Sequence, residues 1–416
     1  MYTNQNKKQI ISAYSEYNPK ELELESRFGN FFGKKFNSGV HQTVFNRILQ
    51  YFKNRTSPQT SRSIDSIDND IRKSEFFQDG KFLTSWIKKF RLLNISLDSY
   101  GIRTSLSREI PIEVPKNFNP TLYRIKERTS FTFNSIRIDL TIVYMLSNYP
   151  DNYFNKNMIY GEKPSYEIEV EFLDDNINEL NTYQTYLSVI LKIVQNTEVI
   201  YTIQEKTNII QQFNTLLNVK NIPVLNHNVL SQARNLKFKD MVYGGLIGNK
   251  YTSYSVTHKA DGYRKLLVFM DNGLWMVHPP HDISKISNQN ISDLKGTILE
   301  GELVPVHNRI KGAPMDVKYW FLAFDCLSYR GNISIQNKGH FDRMKYCQAI
   351  SNIFPDNKLL RISTKSFKNI SSSDNFFRIM REMFREQLTL PYKQDGFMFI
   401  PQNVKYLPIV ADYTFS

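Results

Sequence analysis

The chain has 416 residues, enough for two or three domains, and its 41% hydrophobic content suffices to bury sizeable cores. Lys and Arg number 53 and Asp and Glu number 40, so the formal net charge of +13 favours a polyanionic partner such as nucleic acid or nucleotide phosphates. No apolar run is long enough to cross a membrane, and the N-terminus leads into no hydrophobic signal segment, so we expect the protein inside the cell. The two cysteines are too few for a disulfide framework or a cysteine-based zinc site.

Charged residues alternate with other residues in two strand-like runs: residues 21–29 carry three carboxylates and then Arg27 at every second position, and residues 166–172 carry three carboxylates at every second position. Alternate residues of an extended strand point to the same side, so each run predicts a carboxylate face. Crowded carboxylates repel one another unless a cation lies between them, and hard oxygen ligands suit Mg²⁺ or Mn²⁺. Two such strands facing each other predict a divalent metal site, with candidate ligands Glu23, Glu25, Glu167, Glu169 and Glu171.

Three runs between these strands carry basic residues with the same period. They contain Arg103, then Arg124, Lys126 and Arg128, and then Arg137. If these side chains face inward, they surround the metal with phosphate ligands, which suits hydrolysis of a phosphoanhydride. For any one strand the alternative is an ordinary sheet with its charged face in water. In either case the alternation predicts an antiparallel sheet.

Five ordered motifs in this part of the chain resemble the RNA 5′-triphosphatase domain of the capping enzymes of large DNA viruses, which belongs to the triphosphate tunnel metalloenzymes. The motifs lie at residues 23–29, 103–107, 124–128, 137–143 and 166–171. The resemblance implies an antiparallel β-tunnel in which Glu23 and Glu25 form the first metal-binding and catalytic pair, and Glu169 with Glu171 or Glu167 forms the second. It also implies phosphate-binding positions on the tunnel wall, at Arg27, Arg103, Lys126, Arg128 and Arg137.

A helix-like segment at residues 183–217 and an extended connection at 221–228 separate the two parts of the chain. We therefore predict a triphosphatase domain in residues 1–222 and a second domain in residues 223–416. Polar segments at 54–69, 284–293 and 369–375 are predicted to be surface loops.

The second part places Lys259 after a short β-like run and before a turn-forming Asp261-Gly262 pair and Arg264. A lysine amine attacks a nucleoside triphosphate only when it is deprotonated, and burial and neighbouring cations favour that state. Alone, this pattern also occurs by chance in hairpin turns. Three apolar strand-like runs follow, at residues 298–304, 319–327 and 394–401. They contain Glu302 and Asp395, which are candidate metal ligands, and Phe324, which is a candidate stacking partner for a base.

In this order the four elements resemble the covalent nucleotidyltransferase superfamily of mRNA capping guanylyltransferases and polynucleotide ligases. The resemblance implies an α+β domain built on antiparallel sheets, in which Lys259 forms a lysyl-GMP phosphoramidate. Its implied nucleotide-binding residues are Lys259, Asp261, Gly262, Arg264, Glu302, Phe324 and Asp395, with Glu302 and Asp395 also binding metal. Glu300 stands where the family often has Asp. The family's Lys-x-Trp-Lys-Pro motif and oligonucleotide-binding-fold domain are expected after Pro401, but neither follows, so we expect a truncated domain with incomplete guanylyltransfer activity.

Together these features predict an α+β enzyme that forms the mRNA 5′ cap: it removes the RNA γ-phosphate with Mg²⁺ or Mn²⁺ and then transfers GMP from GTP. The expected partners are 5′-triphosphate RNA, GTP and a cap methyltransferase domain or subunit, and the resemblance implies a location in the host cytoplasm, at a virus factory, or in the virion. Two alternatives stay open, an ATP-dependent polynucleotide ligase and a catalytically inert RNA-binding capping subunit. The charged faces of the first part argue against a ligase, which has no use for a tunnel that cleaves triphosphates. The residues alone do not distinguish GTP from ATP.

Overall fold

The structure is a computed structural model that describes residues 1–78, 81–147, 163–174, 176–219, 225, 230–305, 317–354, 358–370 and 373–406. The chain divides into two compact units, Met1–Asn196 and Thr197–Ser416. Except for residue 225, the predicted connection at 221–228 lies outside the described residues. None of the helices in the described part is long and apolar enough to cross a membrane.

The described part of the first unit contains nine strands. They are β1 Leu22–Phe32, β2 Lys35–Ser38, β3 Gln59–Asp68, β4 Ile71–Gln78, β5 Lys81–Leu97, β6 Ile102–Pro111, β7 Leu122–Phe133, β8 Ile136–Ser147 and β9 Ser165–Phe172. Eight of them follow one another in the antiparallel order β1-β6-β5-β4-β3-β7-β8-β9, and β9 pairs back onto β1. The sheet is thus a closed barrel, which confirms the predicted antiparallel β-tunnel.

Strand alternation gives the barrel a polar interior and an apolar exterior. In β1, Leu24 and Phe28 are buried on the outer side, whereas Glu25 and Arg27 share the opposite face. The outer side packs against helices, which here are α1 Asn4–Ser15, α2 Gln42–Lys53 and α3 Leu180–Gln195. The hydrophobic core therefore lies outside the barrel, and the interior is available for charged groups.

The prediction of a surface loop at residues 54–69 was wrong. Most of this segment forms strand β3, which pairs with β4 and β7 through ten residues of the barrel wall. Its inward positions, which include Ser63 and Asp65, are polar because the barrel interior is polar. A strand whose buried face carries hydroxyl and carboxyl groups lacks the apolar alternation that identifies strands in sequence.

The second unit contains two sheets in its described residues. Its strands are β10 Tyr254–Ala260, β11 Tyr263–Met270, β12 Gly273–His278, β13 Asp282–Ser287, β14 Ile298–Pro305, β15 Tyr319–Ser328, β16 Leu360–Thr364, β17 Lys368–Ile370 and β18 Gln394–Pro401. The larger sheet has the order β13-β12-β11-β14-β15-β16, and the smaller has the order β17-β10-β18. All pairs are antiparallel except β15 with β16, so the predicted α+β domain built on antiparallel sheets is confirmed with one parallel pair.

Three helices lie in the described part of this unit: α4 Ile203–Leu216, α5 His340–Ile353 and α6 Ser373–Glu386. The predicted helical segment 183–217 is two helices, α3 and α4, and α3 ends at Asn196 in the left-handed conformation. Helix α4 falls within the predicted first domain, but its Ile209 and Phe213 pack with Trp275 in the core of the second unit. The predicted loops at 284–293 and 369–375 overlap β13, β17 and α6, so each was wrong in part.

Candidate active sites

The barrel interior brings the two predicted carboxylate strands side by side. In the pairing of β1 with β9, Glu25 lies opposite Glu171 and Arg27 lies opposite Glu169. This register places Glu169 and Glu171 beside the first predicted pair. Glu167 lies further along β9, where its carboxylate accepts a 2.7 Å bond from Arg124.

Arginines hold Glu169 from two sides. The Arg27 guanidinium lies 2.9 Å from Glu169 and 3.1 Å from Glu25, and Arg128 lies 3.1 Å from Glu169 and 2.9 Å from Asp139. Burial disfavours the charged carboxylate, but the surrounding cations, Arg27 foremost, outweigh it and lower the pKa of Glu169 to about 2. The lowered pKa favours the ionised form of Glu169, which orients Arg27 and Arg128.

The neighbouring carboxyls shift in the opposite direction. Burial raises the pKa of Glu171 to about 8, with a further contribution from the charges of Glu23, Asp139 and Glu25, although Arg137 opposes the shift. The same causes, burial first and then the charges of Glu23 and Glu169, raise the pKa of Glu25 despite the opposing charge of Arg27. The raised pKa thus favours the protonated form of Glu171 when no cation other than Arg137 is close to it.

The chemistry of this donor set fits a hard divalent cation. Across the described residues, no three His, Cys, Asp or Glu side chains form a ready metal site. Instead, cationic side chains such as Arg27, Arg137 and Lys89 hold the carboxylates. The donors are nevertheless all carboxylate oxygens, as Mg²⁺ and Mn²⁺ prefer. Burial first, and then repulsion between carboxylates, raises the pKa of Glu25 and of Glu171, and a bound cation would offset both effects.

Several charged residues of the interior were missed by sequence reasoning. Lys89 on β5 forms ion pairs with Glu23, with Glu25 at 3.7 Å and with Glu109 at 3.0 Å. Arg72 on β4 also contacts Glu109, at 3.0 Å. The period-two pattern of β4 and β5 carried the signal, but these strands were not recognised.

Lys126 and Arg103 differ from the expected arrangement. Lys126 points inward, but its nearest carboxylate is Asp65 of β3, which also accepts a 2.9 Å bond from Ser74. Arg103 lies opposite Arg27 in the strand pairing, yet its guanidinium sits 4.7 Å from the ring centroid of Phe36 rather than beside the carboxylates. Burial, with the charge of Arg91, lowers the pKa of Arg103.

The second candidate site surrounds Lys259. The pairing of β10 with β18 shifts register between His258 and Ala260, so Lys259 lies at a bulge, a feature that re-aims a side chain. Its Nζ atom lies 2.6 Å from Asp395, at the start of β18. The lysine opens into a pocket of about 510 Å³.

All the predicted nucleotide-binding residues line this pocket. They are Lys259, Asp261, Gly262, Arg264, Glu302, Phe324 and Asp395, and Glu300, Asp325, Arg343 and Tyr406 line it as well. Gly262 lies in the turn between β10 and β11, and a Cβ atom there would lie 2.9 Å from the Leu303 carbonyl oxygen, so only glycine fits without a shift of backbone. The Phe324 ring packs with Met398 and Ile400.

The predicted metal ligands of this pocket hold two different lysines. Asp395 pairs with Lys259, whereas Glu302 pairs with Lys365 and accepts a 3.0 Å bond from the backbone N–H of Ala260. Burial, only partly offset by Glu302, lowers the pKa of Lys365. Lys365 also donates to the carbonyl oxygen of His258, next to the predicted nucleophile. Sequence reasoning missed this lysine because it stands in no motif.

Behind the pocket, a buried polar network fixes its floor. Arg264 donates to Glu300 at 2.6 Å, and the Tyr406 hydroxyl donates to the other oxygen of Glu300 at 2.9 Å. Burial raises the pKa of Glu300 despite the arginine. Arg343 forms a bidentate pair with Asp325, with bonds of 2.7 and 2.9 Å. These contacts hold β14, β15, α5 and the segment after β18 in one arrangement.

Two family models match the chain. Residues 62–200 match "mRNA capping enzyme, beta chain", and residues 248–413 match "mRNA capping enzyme, catalytic domain". The chain is 25% identical over 424 residues to the mRNA-capping enzyme of African swine fever virus (strain Badajoz 1971 Vero-adapted), a match that covers 93% of this chain and 45% of the relative. It is 27% identical over 210 residues to the probable mRNA-capping enzyme of Acanthamoeba polyphaga mimivirus, covering 46% of this chain and 16% of that relative.

One solved structure, the mimivirus capping enzyme triphosphatase, aligns with a TM-score of 0.36 and 20% identity. The alignment covers 46% of this chain and 99% of that one. The chain spans about half the length of the African swine fever virus relatives, 45% in each case.

Proposed function

We propose that this chain, which carries the beta-chain and catalytic segments of the mRNA capping enzymes, builds the 5′ cap of an RNA in two steps. The first unit removes the γ-phosphate from 5′-triphosphate RNA. The second unit transfers GMP from GTP to the resulting diphosphate end through Lys259. The observation that carries the proposal is the closed barrel whose interior gathers Glu25, Arg27, Glu169 and Glu171.

In the first step the arginines of the interior bind the triphosphate. Arg27 and Arg128 are held in place by Glu169, which keeps its charge because its pKa is low. Arginine guanidinium groups bind phosphate oxygens with two parallel bonds and stabilise the charge that develops as the γ-phosphate leaves. Glu25 and Glu171, with Glu23, would hold Mg²⁺ or Mn²⁺, for which Glu171 would have to be ionised. When bound, the ion would neutralise phosphate charge and favour ionisation of the attacking water.

In the second step the deprotonated Lys259 amine attacks the α-phosphate of GTP. A nitrogen–phosphorus bond forms, the bond to the β-phosphate oxygen breaks, and pyrophosphate leaves. The terminal oxygen of the diphosphate RNA then attacks the same phosphorus and frees the lysine. Asp395 pairs with the Lys259 amine at 2.6 Å before the substrate binds, Arg264 contacts the nucleotide, and Phe324 stacks on the base. Glu302 and Asp395, which now pair with Lys365 and Lys259, would hold a divalent ion, and that ion would neutralise charge on the phosphates.

Labelling with α-phosphate-labelled GTP tests the second step. We expect a covalent GMP adduct that Lys259→Ala abolishes. Lys295→Ala is the matched control and keeps the adduct, because Lys295 is exposed and pairs with Asp271 outside the pocket. An adduct formed with ATP but not with GTP would favour a polynucleotide ligase, and the absence of any adduct would favour an inert subunit.

Two further expectations rest on the resemblance and stay predictions. A cap methyltransferase domain or subunit is expected to act on the product, which co-purification with methyl-transfer activity would test. A location in the host cytoplasm or the virion is expected, which fractionation of infected cells and purified particles would test.

A further inference from the structure

A group of aromatic side chains in the second unit is unusually exposed. Tyr251, Phe238 and Tyr243 have exposed fractions of 96%, 89% and 78%, and Phe377 and Phe384 of α6 are more than half exposed. Single exposed apolar side chains are common, but five large rings on two neighbouring segments are typical of a binding surface.

The two segments form one layer over the small sheet β17-β10-β18. Leu246 and Ile247 of the first segment, residues 236–251, share a core with Phe376 and Met383 of α6 and with Val256 of β10. The buried residues of both segments thus face the sheet, and the exposed rings lie on the outside of the same layer.

Internal bonds fix the first segment in place. Asp240 accepts two 2.8 Å bonds from Arg234 and one of 2.8 Å from the backbone N–H of Lys237. The Leu246 N–H donates to the Asp240 carbonyl oxygen at 2.8 Å. The exposed rings are therefore displayed by an ordered backbone, at a lower entropic cost for binding than a loose loop would carry.

The first segment is cationic, and the carboxylates Glu382 and Glu386 of α6 pair with Lys368 and Arg378. Lys237, Lys239 and Lys250 are exposed, and the one carboxylate of residues 230–253 is Asp240, which Arg234 engages. On α6, Arg381 and Arg385 are also exposed and form no ion pair with any residue that the structure describes. Rings interleaved with such cations complement a single-stranded nucleic acid, whose bases stack on the rings and whose phosphates pair with the cations.

The layer also lies next to the strand that carries the nucleophile. The Glu386 carboxylate, at the end of α6, is 3.6 Å from His258, the residue before Lys259. The Phe384 ring is 5.0 Å from the ring of Phe397, which follows Asp395 by two residues.

We propose that this aromatic–basic layer, residues 236–251 with α6, binds the single-stranded RNA that follows the 5′ end. The proposal rests on the proposed function, since it names where the body of the RNA substrate lies.

Binding of a fluorescein-labelled, 20-nucleotide RNA with a 5′-hydroxyl end tests the proposal, measured by anisotropy with the full chain. This probe carries no triphosphate and needs no GTP, so the result does not depend on either proposed reaction. We expect Phe238→Ala/Tyr243→Ala/Tyr251→Ala to weaken binding about tenfold or more, because base stacking on an aromatic ring is lost. Phe341→Ala/Lys345→Gln, an exposed aromatic and cationic pair on α5, is the matched control and leaves the affinity unchanged.

A second variant keeps the ring side chains and removes charge alone. Arg381→Gln/Arg385→Gln is expected to reduce the slope of log affinity against log salt by about 1.4, since each phosphate contact to a single strand contributes about 0.7. Circular dichroism checks that both variants fold. Unchanged affinity in the ring variant together with an unchanged salt slope in the arginine variant would overturn the proposal and assign this surface to a protein partner instead.

Discussion

The buried pair of Arg343 and Asp325 gives the most quantitative stability prediction. Both side chains are more than nine-tenths buried, and Arg343 also donates to the carbonyl oxygen of Lys338 at 2.6 Å and to that of Val404 at 3.2 Å. Arg343→Met keeps much of the side-chain volume but leaves the Asp325 carboxylate buried without its cation. Removing one partner of a buried pair costs about 3–5 kcal/mol in unfolding free energy.

Tryptophan fluorescence during urea unfolding measures this cost. The chain has three tryptophans, and Trp86 belongs to the first unit whereas Trp275 and Trp320 belong to the second. In a Trp86→Phe background the signal therefore reports on the second unit, where the pair lies. We expect the midpoint to fall with an unchanged denaturant slope.

Two controls make the prediction sharp. Lys345→Ala removes an exposed pair with Asp342 on the same helix, also 2.7 Å long, and we expect no measurable change. Asp325→Leu/Arg343→Met removes both buried charges and is expected to cost less than Arg343→Met alone. Equal stability of Arg343→Met and Lys345→Ala, or a double variant less stable than the single one, would refute the reasoning from burial.

Three further predictions concern single residues of the two units. Burial and neighbouring carboxylates raise the pKa of Glu171 to about 8, so Mn²⁺ must displace a proton when it binds. The affinity of the protein for Mn²⁺, measured by calorimetry, is therefore expected to rise about tenfold per pH unit below pH 8. Glu171→Gln should flatten this pH dependence, and a flat profile for the wild-type protein would contradict the prediction. Gly262→Ala places a Cβ atom 2.9 Å from the Leu303 carbonyl oxygen, so we expect the GMP adduct to form at least about tenfold more slowly. Adduct formation at the wild-type rate would show that the turn tolerates a side chain at this position. The His340 ring lies 2.8 Å from the Phe324 carbonyl oxygen, and burial lowers the pKa of His340. The folded protein therefore favours neutral His340, and this contribution to stability is fully present above the unfolded-state pKa of about 6.5. The contribution is lost as the pH falls below that value. Urea unfolding at pH 5 and pH 7 measures that loss, and a His340→Phe variant with the same pH dependence as wild type would exclude His340 as its source.

The sequence was sufficient to predict which residues of the first unit share a face. The period of two in β1 and β9 puts Glu25 with Arg27 and Glu169 with Glu171, whatever the strand order. It was not sufficient to predict that β9 pairs directly with β1, because that contact depends on closure of the whole barrel. Strand β3 was missed because its inward positions are polar, and Asp65 was missed with it.

In the second unit, the ordered motifs were enough to assign the pocket. Lys259, Arg264, Glu302 and Phe324 line one cavity as expected, although they come from different strands. The pairing of Lys365 with Glu302 was beyond sequence reasoning, since the two residues are 63 positions apart and a lone lysine between polar residues has no distinguishing pattern. Whether the motif residues perform the assigned roles stays a prediction.

Release of labelled γ-phosphate from 5′-triphosphate RNA tests the central claim most directly. We expect release that requires Mg²⁺ or Mn²⁺ and that falls by several orders of magnitude in Glu23→Ala/Glu25→Ala. Release should persist in Lys259→Ala, because the lysine belongs to the other unit. No release with either metal, or release that survives the loss of both glutamates, would contradict the assignment of the barrel as a triphosphatase.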